Sequence, residues 1–429
     1  MLKAVIGLQF GDEGKGKFVD FLSKNVAHIV RFNGGANAGH SVQHNNVRVA
    51  FSQIPASLND KKLYVCQGAL ISPDILVKEI AMLQELGIKS EIYIDPRCHV
   101  VLSIHAELNK ASESYKGKQK IGSVGIGIGA CFEDKANRHG IRLIELTDKE
   151  KLREKLLFLW NIREKQIKYV FKGENQVDFE EELSKLYEYG KFLAPYFTFT
   201  NSVINKLLAK NEDVLLETSQ ATFLDNAFGS YPYTVAYQTL VQTCFPMIGI
   251  PAQDMRVTGV MKAYMIRVGN GPFPTELFDN TAEYIRVKGH EYGTVSKRPR
   301  RCGWLDLNLI NHAIKLNGVN ELAITNLDVL SDLSEIQVAV SYLHNQEAVC
   351  SNTALLYFDE VEPVYKTFKG WQTLKERYHS LKELPFELIE FLRYIEKSTK
   401  TVVKYLSYGP DREQTLVIGA GELQGLSND

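Results

Sequence analysis

The chain has 429 residues, of which 45% are hydrophobic and 24% are charged, and its formal net charge is −1. A chain of this length can bury a large core, and a charge near zero offers no long-range attraction to nucleic acid or to an anionic membrane. The composition therefore predicts a soluble globular protein that acts on small molecules, with neither nucleic acid nor membrane among its partners.

The chain opens directly on an apolar strand pattern, and it contains no run of about 18 uncharged apolar residues. We therefore expect a cytoplasmic protein. Its six cysteines are widely scattered and include no Cys-x-x-Cys pair. This spacing argues against a disulfide framework or a zinc site, and it predicts buried thiols that pack as small hydrophobic side chains.

The first motif is a glycine-rich segment between an apolar strand pattern at 2–8 and a helical pattern that begins at Phe18. Gly11 to Lys17 fit the phosphate-loop spacing Gly-x4-Gly-Lys, in which backbone N–H groups at a helix start bind phosphates. Phe18 replaces the usual Ser or Thr, so another residue must hold the metal. Asp12 is the candidate, because a carboxylate can ligate a hard cation and can also accept a proton from a substrate. The alternative is a glycine-rich turn that binds nothing.

Further along the chain, short apolar runs at 27–32, 63–66 and 91–94 alternate with helical patterns such as 74–86, which Gly87 ends. This alternation predicts an α/β fold with a large, mostly parallel central sheet, a phosphate-loop-like site and helices on both faces. Lys, Glu, Leu and Tyr in helical spacing predict a helical subdomain at 147–211. Strand patterns return at 214–217, 321–325 and 401–406, with a helix at 305–316, so we expect a single domain over 1–429.

Four loops carry further candidate chemistry. The loop at 33–39 contains three glycines and ends at His40, in the crevice where α/β proteins bind ligands, although a structural histidine is the alternative. The loop at 122–129 has a glycine at nearly every second position, which indicates either a flexible loop or a phosphate-binding nest of N–H groups aided by Ser123. The run at 297–301 holds four cations, which form either a solvated surface or a site for a dianionic amino acid. Asn326-Leu327-Asp328 has weak similarity to the guanine-recognition segment of GTP-binding proteins.

The chain resembles the adenylosuccinate synthetase family along almost its whole length, and six family motifs occur in order. These are Gly11-Asp12-Glu13-Gly14-Lys15-Gly16-Lys17, Asn37-Ala38-Gly39-His40, Phe132-Glu133-Asp134-Lys135, Arg267-Val268-Gly269-Asn270-Gly271-Pro272-Phe273-Pro274-Thr275-Glu276-Leu277, Arg298-Pro299-Arg300-Arg301-Cys302-Gly303-Trp304 and Gly409-Pro410-Asp411-Arg412.

The resemblance implies a GTP- and Mg²⁺-dependent C–N ligase. In this family GTP phosphorylates IMP on O6, and the amino group of aspartate then displaces the phosphate to give adenylosuccinate. Asp12 would deprotonate the purine N1 and, with the carbonyl of Gly39, ligate one Mg²⁺ per subunit. His40 would stabilise charge on O6 and on the GTP phosphates, and Gln220 would contact the purine edge. Arg138 would reach the purine site of the neighbouring subunit in a homodimer.

The resemblance also implies three sets of binding residues. The GTP set is Gly11, Asp12, Glu13, Gly14, Lys15, Gly16, Lys17, Gly39, His40, Ser41, Arg300, Asn326, Asp328, Ser407 and Gly409. The purine-acceptor set is Asn37, Ser123, Val124, Arg138, Gln220, Val235 and Val268. The aspartate set is Thr294, Ser296, Arg298 and Arg300.

The departures from the family pattern lie mainly around the acceptor. Val124 and Val235 stand where Thr side chains usually bind the 5′-phosphate, and losing two hydrogen bonds to a charged group costs about 3–6 kcal/mol without compensation. The others are Ile126 for Arg, Ala221 for Gly, the run 237–240 for a Ser-, Asn- and Thr-rich run, Val295 and Lys297 for Thr and Gly, and Asn326 for Lys.

Two alternatives therefore stay open beside the ligation of IMP. One is the same chemistry on a different 6-oxopurine-like acceptor, with an altered or absent 5′-phosphate. The other is a catalytically silent GTP-binding regulator. Asp12 and His40 are both present and argue against a regulator, since a switch needs neither a base nor an acid aimed at a purine.

Overall fold

The computed structural model describes residues 1–44, 47–293 and 299–426. Strands account for much of this chain and fall into one large sheet and several small ones. The strands are β1 (Leu2–Gly7), β2 (His28–Arg31), β3 (His40–His44), β4 (Val47–Phe51), β5 (Lys62–Val65), β6 (Leu70–Ile71), β7 (Glu91–Ile94), β8 (His99–Val100), β9 (Val214–Ala221), β10 (Met255–Lys262), β11 (Met265–Arg267), β12 (Arg301–Gly303), β13 (Leu305–Asp306), β14 (Glu321–Thr325), β15 (Glu335–His344), β16 (Glu347–Val349), β17 (Glu362–Lys369), β18 (Val402–Ser407) and β19 (Thr415–Val417).

Helices connect most of these strands. The α-helices are α1 (Lys15–Ser23), α2 (Pro73–Glu85), α3 (Ser103–Lys116), α4 (Ile128–Asn137), α5 (Lys149–Lys165), α6 (Phe179–Leu193), α7 (Thr200–Ala209), α8 (Cys244–Ile248), α9 (Asn280–Lys288), α10 (Leu307–Asn317), α11 (Ser351–Leu356), α12 (Phe386–Thr399) and α13 (Glu422–Gly425). No helix in the described ranges is long and apolar enough to cross a membrane.

The large sheet has nine strands in the order β19-β18-β14-β10-β1-β9-β2-β5-β7. All neighbouring pairs are parallel except β18 and β19, which are antiparallel. β1 lies near the middle, where Leu2 is in register with Val214 of β9 and Met255 of β10. The predicted mostly parallel sheet is therefore confirmed.

Apolar side chains cover both faces of this sheet. Along β1, Leu2, Ala4 and Ile6 belong to one buried cluster, and Val5 belongs to a second cluster on the opposite face. Alternate residues of a strand point to opposite faces, so a sheet covered on both sides needs nearly continuous apolar strands. This requirement explains why the strand patterns are apolar runs rather than apolar and polar alternations.

The segment predicted as a helical subdomain contains α5, α6 and α7. Leu152, Leu156 and Leu159 of α5 belong to the same buried cluster as Val5 of β1. Side chains of the segment thus contribute to a core that includes the sheet. The division of the chain into one domain and a helical subdomain stays a prediction.

Several predicted boundaries were wrong by a few residues. α1 begins at Lys15 rather than at Phe18, because the loop already ends at Gly14, whose φ of 92° is left-handed. Leu305 and Asp306 form β13, and the Asp306 carboxylate accepts the N–H of Leu309 at 3.0 Å to cap α10. β9 continues beyond the predicted 214–217 to residue 221, which carries the sheet into the active-site region.

Five of the six cysteines are buried, as predicted, but Cys350 is exposed. Cys350 immediately precedes α11, where its thiol contacts the Thr353 hydroxyl at 3.3 Å. The prediction that every cysteine is buried was therefore wrong at this short surface helix.

Candidate active site

Five predicted segments meet at the carboxyl edge of the large sheet. The phosphate loop follows β1, the loop to His40 follows β2, Gln220 lies at the end of β9, Asn326 follows β14, and Ser407 ends β18. Ligands of open α/β sheets bind at this edge, because the loops of neighbouring strands meet there. The fold thus brings together segments that are far apart in the sequence.

The phosphate loop is shaped by left-handed backbone and by one buried carboxylate. Gly11 and Asp12 have φ angles of 96° and 58°. The carboxylate of Glu13 is fully buried, accepts the N–H of Gly11 at 2.8 Å, and pairs with Nζ of Lys15 at 2.7 Å. These contacts hold the loop against the start of α1, where backbone N–H groups form an anion site.

Lys17 connects this loop to the end of β18. Its Nζ donates to Oγ of Ser407 at 2.7 Å, to the carbonyl of Gly409 at 2.8 Å and to the carbonyl of Gln414 at 3.0 Å. Burial lowers the pKa of Lys17 to about 7, although the nearby charge of Asp328 opposes the shift. Three residues predicted for the GTP site, Lys17, Ser407 and Gly409, are therefore in direct contact.

Asp328 lies on the same side, in the turn after β14. Burial raises the pKa of its carboxyl, with the charge of Lys17 opposing. The preceding Asn326 adopts a left-handed φ of 57°, and the Thr325 hydroxyl donates to the carbonyl of Glu13 at 2.8 Å. The turn is therefore hydrogen-bonded to the phosphate loop.

Asp12, rather than Phe18, presents an oxygen to the site. Phe18 is fully buried, with its ring centroid 5.8 Å from that of Tyr405, so it is a core residue. The Asp12 side chain is 36% exposed, and its Oδ2 pairs with Nη2 of Arg300 at 2.5 Å. The substitution of Phe for the usual hydroxyl residue thus leaves Asp12 as the accessible oxygen donor of the loop.

Arg300 is held on its other side by a buried carboxylate. Its Nη1 donates to Glu291 at 2.8 Å, and Glu291 also accepts from the hydroxyl of Tyr264 at 2.5 Å and from Nζ of Lys262. Glu291 is fully buried. The network connects Asp12 to Glu291, which lies in the segment just before the predicted aspartate residues.

His40 is buried beside the first turn of α1. A Cβ atom on Gly16 would lie 2.9 Å from the carbonyl oxygen of Ser41 and 3.1 Å from the Cβ of His40, so this approach requires glycine. The imidazole Nδ1 hydrogen-bonds to Glu217, whose other carboxylate oxygen accepts the N–H of Ala56 at 2.8 Å. Burial lowers the pKa of His40, with Glu217 opposing the shift. Burial also works against the charge of Glu217, but His40, Arg31 and the Ala56 N–H outweigh it and lower the pKa of that carboxyl.

Gln220 lies next to both the phosphate loop and the loop that leads to His40. Its left-handed φ of 66° turns the chain at the end of β9, and its Nε2 donates to the carbonyl of Asn37 at 3.1 Å. A Cβ on Gly11 would lie 3.9 Å from Oε1 of Gln220. Asp12 of the phosphate loop, His40 at the start of β3 and Gln220 near the end of β9 therefore lie on neighbouring segments.

Comparisons with known proteins agree on one family. The family model described as adenylosuccinate synthetase matches residues 4–416. Adenylosuccinate synthetase 1 of Photorhabdus laumondii is 69% identical over 97% of this chain and 100% of its own length. A fully ligated adenylosuccinate synthetase of Plasmodium falciparum superposes with a TM-score of 0.91 at 34% identity, over 97% of this chain and 100% of that one. The chain belongs to the adenylosuccinate synthetase family.

A more distant structure shares the fold. The succinoaminodeoxyadenylate synthetase of cyanophage S-2L, solved with dGMP and dATP, has a TM-score of 0.60 at 18% identity and covers 99% of this chain and 98% of its own. Membership of the adenylosuccinate synthetase family makes this protein a C–N ligase that joins aspartate to IMP with GTP. The comparisons support neither the altered acceptor nor the silent regulator.

Three of the residues predicted for the acceptor, Ser123, Val124 and Val268, are exposed. Val124 is 57% exposed, and Val268 is 50% exposed. Ser123 exchanges hydrogen bonds with the Asn109 side chain at the surface. A Cβ on Gly122 would lie 3.5 Å from the N atom of Asn270, so the loops carrying Val124 and Val268 meet. Residues 122–125 thus form an exposed loop that leads to α4, and a phosphate-binding nest at 122–129 stays a prediction.

The departures from the synthetase pattern pack together. Val235 and Ile126 lie against a small apolar cluster that contains Tyr237, and the Tyr237 ring stacks on Phe132 with centroids 4.8 Å apart. The apolar residues that replace polar family residues here therefore pack against the same cluster.

Of the predicted aspartate residues, Thr294, Ser296 and Arg298 lie outside the described residues, as do Val295 and Lys297.

Sequence reasoning missed three charged residues of the site: Glu217, Lys262 and Glu291. The signal for Glu217 and Lys262 was a charged side chain in a strand that is otherwise apolar or fully buried. Such a residue needs a partner, because burying an unpaired charge is costly. Glu291 follows α9 in a polar segment, where no local pattern marks it.

Proposed function

We propose that this edge of the sheet forms adenylosuccinate in two steps, with Asp12 as the base. Asp12 would remove the proton from N1 of IMP while O6 attacks the γ-phosphate of GTP and GDP leaves. The amino group of aspartate would then attack C6, lose a proton and expel phosphate. The observation that carries the assignment is that His40 and Gln220 lie on segments next to the phosphate loop, which itself carries Asp12.

The remaining roles follow the chemistry of each side chain. His40 would stabilise charge on O6 and on the phosphates, because a protonated imidazole donates hydrogen bonds from both of its nitrogens. Gln220 would bind the purine edge through its amide, which can both donate and accept. Lys17, Asp328, Ser407 and the other predicted GTP residues would surround the nucleotide, and Arg300 would bind the carboxylate of aspartate.

We propose one Mg²⁺ per subunit. Mg²⁺ is usually bound by one or two carboxylates together with substrate phosphates, so it does not require a protein cluster of acidic groups. The Asp12 carboxylate and the carbonyl of Gly39, an exposed residue, fit this need, and they would hold the ion that neutralises phosphate charge.

We also propose a homodimer in the cytoplasm. Arg138 is exposed at the end of α4 with a left-handed φ of 64°, and as a cation it suits a phosphate of a neighbouring subunit's acceptor. The free thiols suit a reducing compartment.

The test is release of GDP and phosphate by the purified protein with GTP, Mg²⁺, aspartate and IMP, with the product identified by mass. We expect release that requires both aspartate and IMP, and a product with the mass of adenylosuccinate. Inosine and other 6-oxopurine nucleotides serve as parallel acceptors. Turnover with one of these and none with IMP would contradict the proposal.

A further inference from the structure

We propose that Glu217 is a positioning residue for His40. Its carboxylate holds Nδ1–H of the imidazole and so leaves Nε2 as the nitrogen that meets the reacting nucleotide. This inference rests on the role proposed above for His40.

Glu217 lies at the centre of the molecule. It belongs to β9, which lies between β1 and β2 in the large sheet, and its side chain is fully buried. β2 leads into the loop that carries His40, and β1 leads into the phosphate loop. A carboxylate at this position therefore reaches from the rigid sheet to a loop residue at its edge.

Both oxygens of Glu217 have defined partners. Oε1 bonds to Nδ1 of His40, and Oε2 accepts the N–H of Ala56 at 2.8 Å. The bond from Ala56 holds the carboxylate in place, and the bond to His40 then holds the imidazole ring. A carboxylate with two anchored oxygens leaves the imidazole little freedom to rotate.

The bond also determines the tautomer of His40. An ionised carboxylate only accepts hydrogen bonds, so Nδ1 must carry the hydrogen. Nε2 makes no hydrogen bond to any of the described residues. Neutral His40 therefore presents a free lone pair at Nε2, and protonated His40 presents an N–H donor there. Groups that orient a reacting histidine in this way are usually carboxylates or backbone carbonyls.

The ring is already next to the phosphate site. The Cβ of His40 lies 3.1 Å from the position of a Cβ on Gly16, in the first turn of α1. The carbonyl of Ser41 lies 2.9 Å from the same point. The His40 side chain therefore starts beside the helix N-terminus at which a nucleotide phosphate would bind.

Glu217→Gln tests the proposal with little change in volume. The amide oxygen can still accept the Ala56 N–H, but the amide nitrogen can only donate, which requires His40 to carry its hydrogen on Nε2. We expect kcat to fall by roughly ten- to a hundredfold, while KM for GTP and for IMP changes by less than about threefold. A fall no larger than that of the control variant, or a loss confined to KM, would overturn the proposal.

Glu79→Gln is the matched control. Glu79 is also buried, and it accepts backbone N–H groups of Ser52, Gln53 and Ile54 without contacting a histidine. We expect its kcat per folded molecule to stay within about twofold of the parent value, because Glu79 affects activity only through the stability of the loop at 52–54. Folded fractions of both variants are measured by circular dichroism.

A double-mutant cycle separates an action through His40 from a general structural role. If Glu217 acts only through the imidazole, adding Glu217→Gln to His40→Asn should lower kcat by less than about twofold. A further tenfold loss in the double variant would show that Glu217 acts elsewhere.

The parent protein supplies a test that does not depend on the folding of Glu217→Gln. Its ¹⁵N-histidine NMR spectrum should show His40 as the Nδ1–H tautomer when neutral, with the signal assigned by its loss in His40→Asn. An Nε2–H tautomer would overturn the proposal. This measurement needs no turnover, so a failure of the proposed ligase reaction and a failure of the Glu217 assignment are distinguishable.

Discussion

At the scale of single residues, Asp12 carries the strongest prediction. It is the accessible carboxylate of a loop whose other acidic side chain, Glu13, is buried in a pair with Lys15. Asp12→Asn removes the base and keeps the size, so we expect kcat for adenylosuccinate formation to fall by about 10²–10⁴-fold. Asp148→Asn, at the exposed start of α5, is the control, because Asn also caps helices. If Asp12→Asn retains more than about a tenth of the parent kcat, Asp12 is not the base.

At the scale of elements, α10 begins with a buried carboxyl whose charge is costly. Burial raises the pKa of Asp306 to about 6, while the Tyr342 hydroxyl and the Leu309 N–H oppose the shift. A raised pKa means that the folded state binds the proton more tightly, so stability falls as the pH rises from about 4 to about 6. We expect Asp306→Asn, compared with the parent, to gain about 1–2 kcal/mol between pH 5 and pH 8 in urea unfolding. A constant difference between the two proteins at both pH values would contradict this explanation.

At the scale of the whole molecule, the proposed homodimer predicts complementation between inactive subunits. Asp12→Asn disables its own site, and Arg138→Leu disables the site of its neighbour. A mixed dimer has one site with both native residues, so unfolding and refolding the two variants together should restore about a quarter of the parent activity. Each variant refolded alone is the control. If mixing restores no activity although dimers form, Arg138 acts within its own subunit or not at all.

Much of the fold follows from local patterns. The apolar runs at 91–94 and 321–325 are strands with those bounds, and Gly318 ends α10 as a left-handed C-cap. These elements can be predicted from the sequence because strand and helix periodicities involve only residues that are close in the chain. The predicted end of β9 and the predicted start of α10 were wrong, because these boundaries depend on contacts with distant residues or on a cap. β9 extends along β1, and α10 starts only where Asp306 caps it.

The sequence by itself determined the phosphate loop and the family, because their motifs are contiguous, and it predicted Asp12, His40 and Gln220 as reaction residues. Only the tertiary structure decided what holds these residues. His40 and its partner Glu217 are 177 residues apart in the chain, and Lys17 and Ser407 are 390 apart. No periodicity connects such positions, because their proximity follows from the order and register of parallel strands. The sequence predicts which residues react, and the sheet determines which buried charges lie beside them.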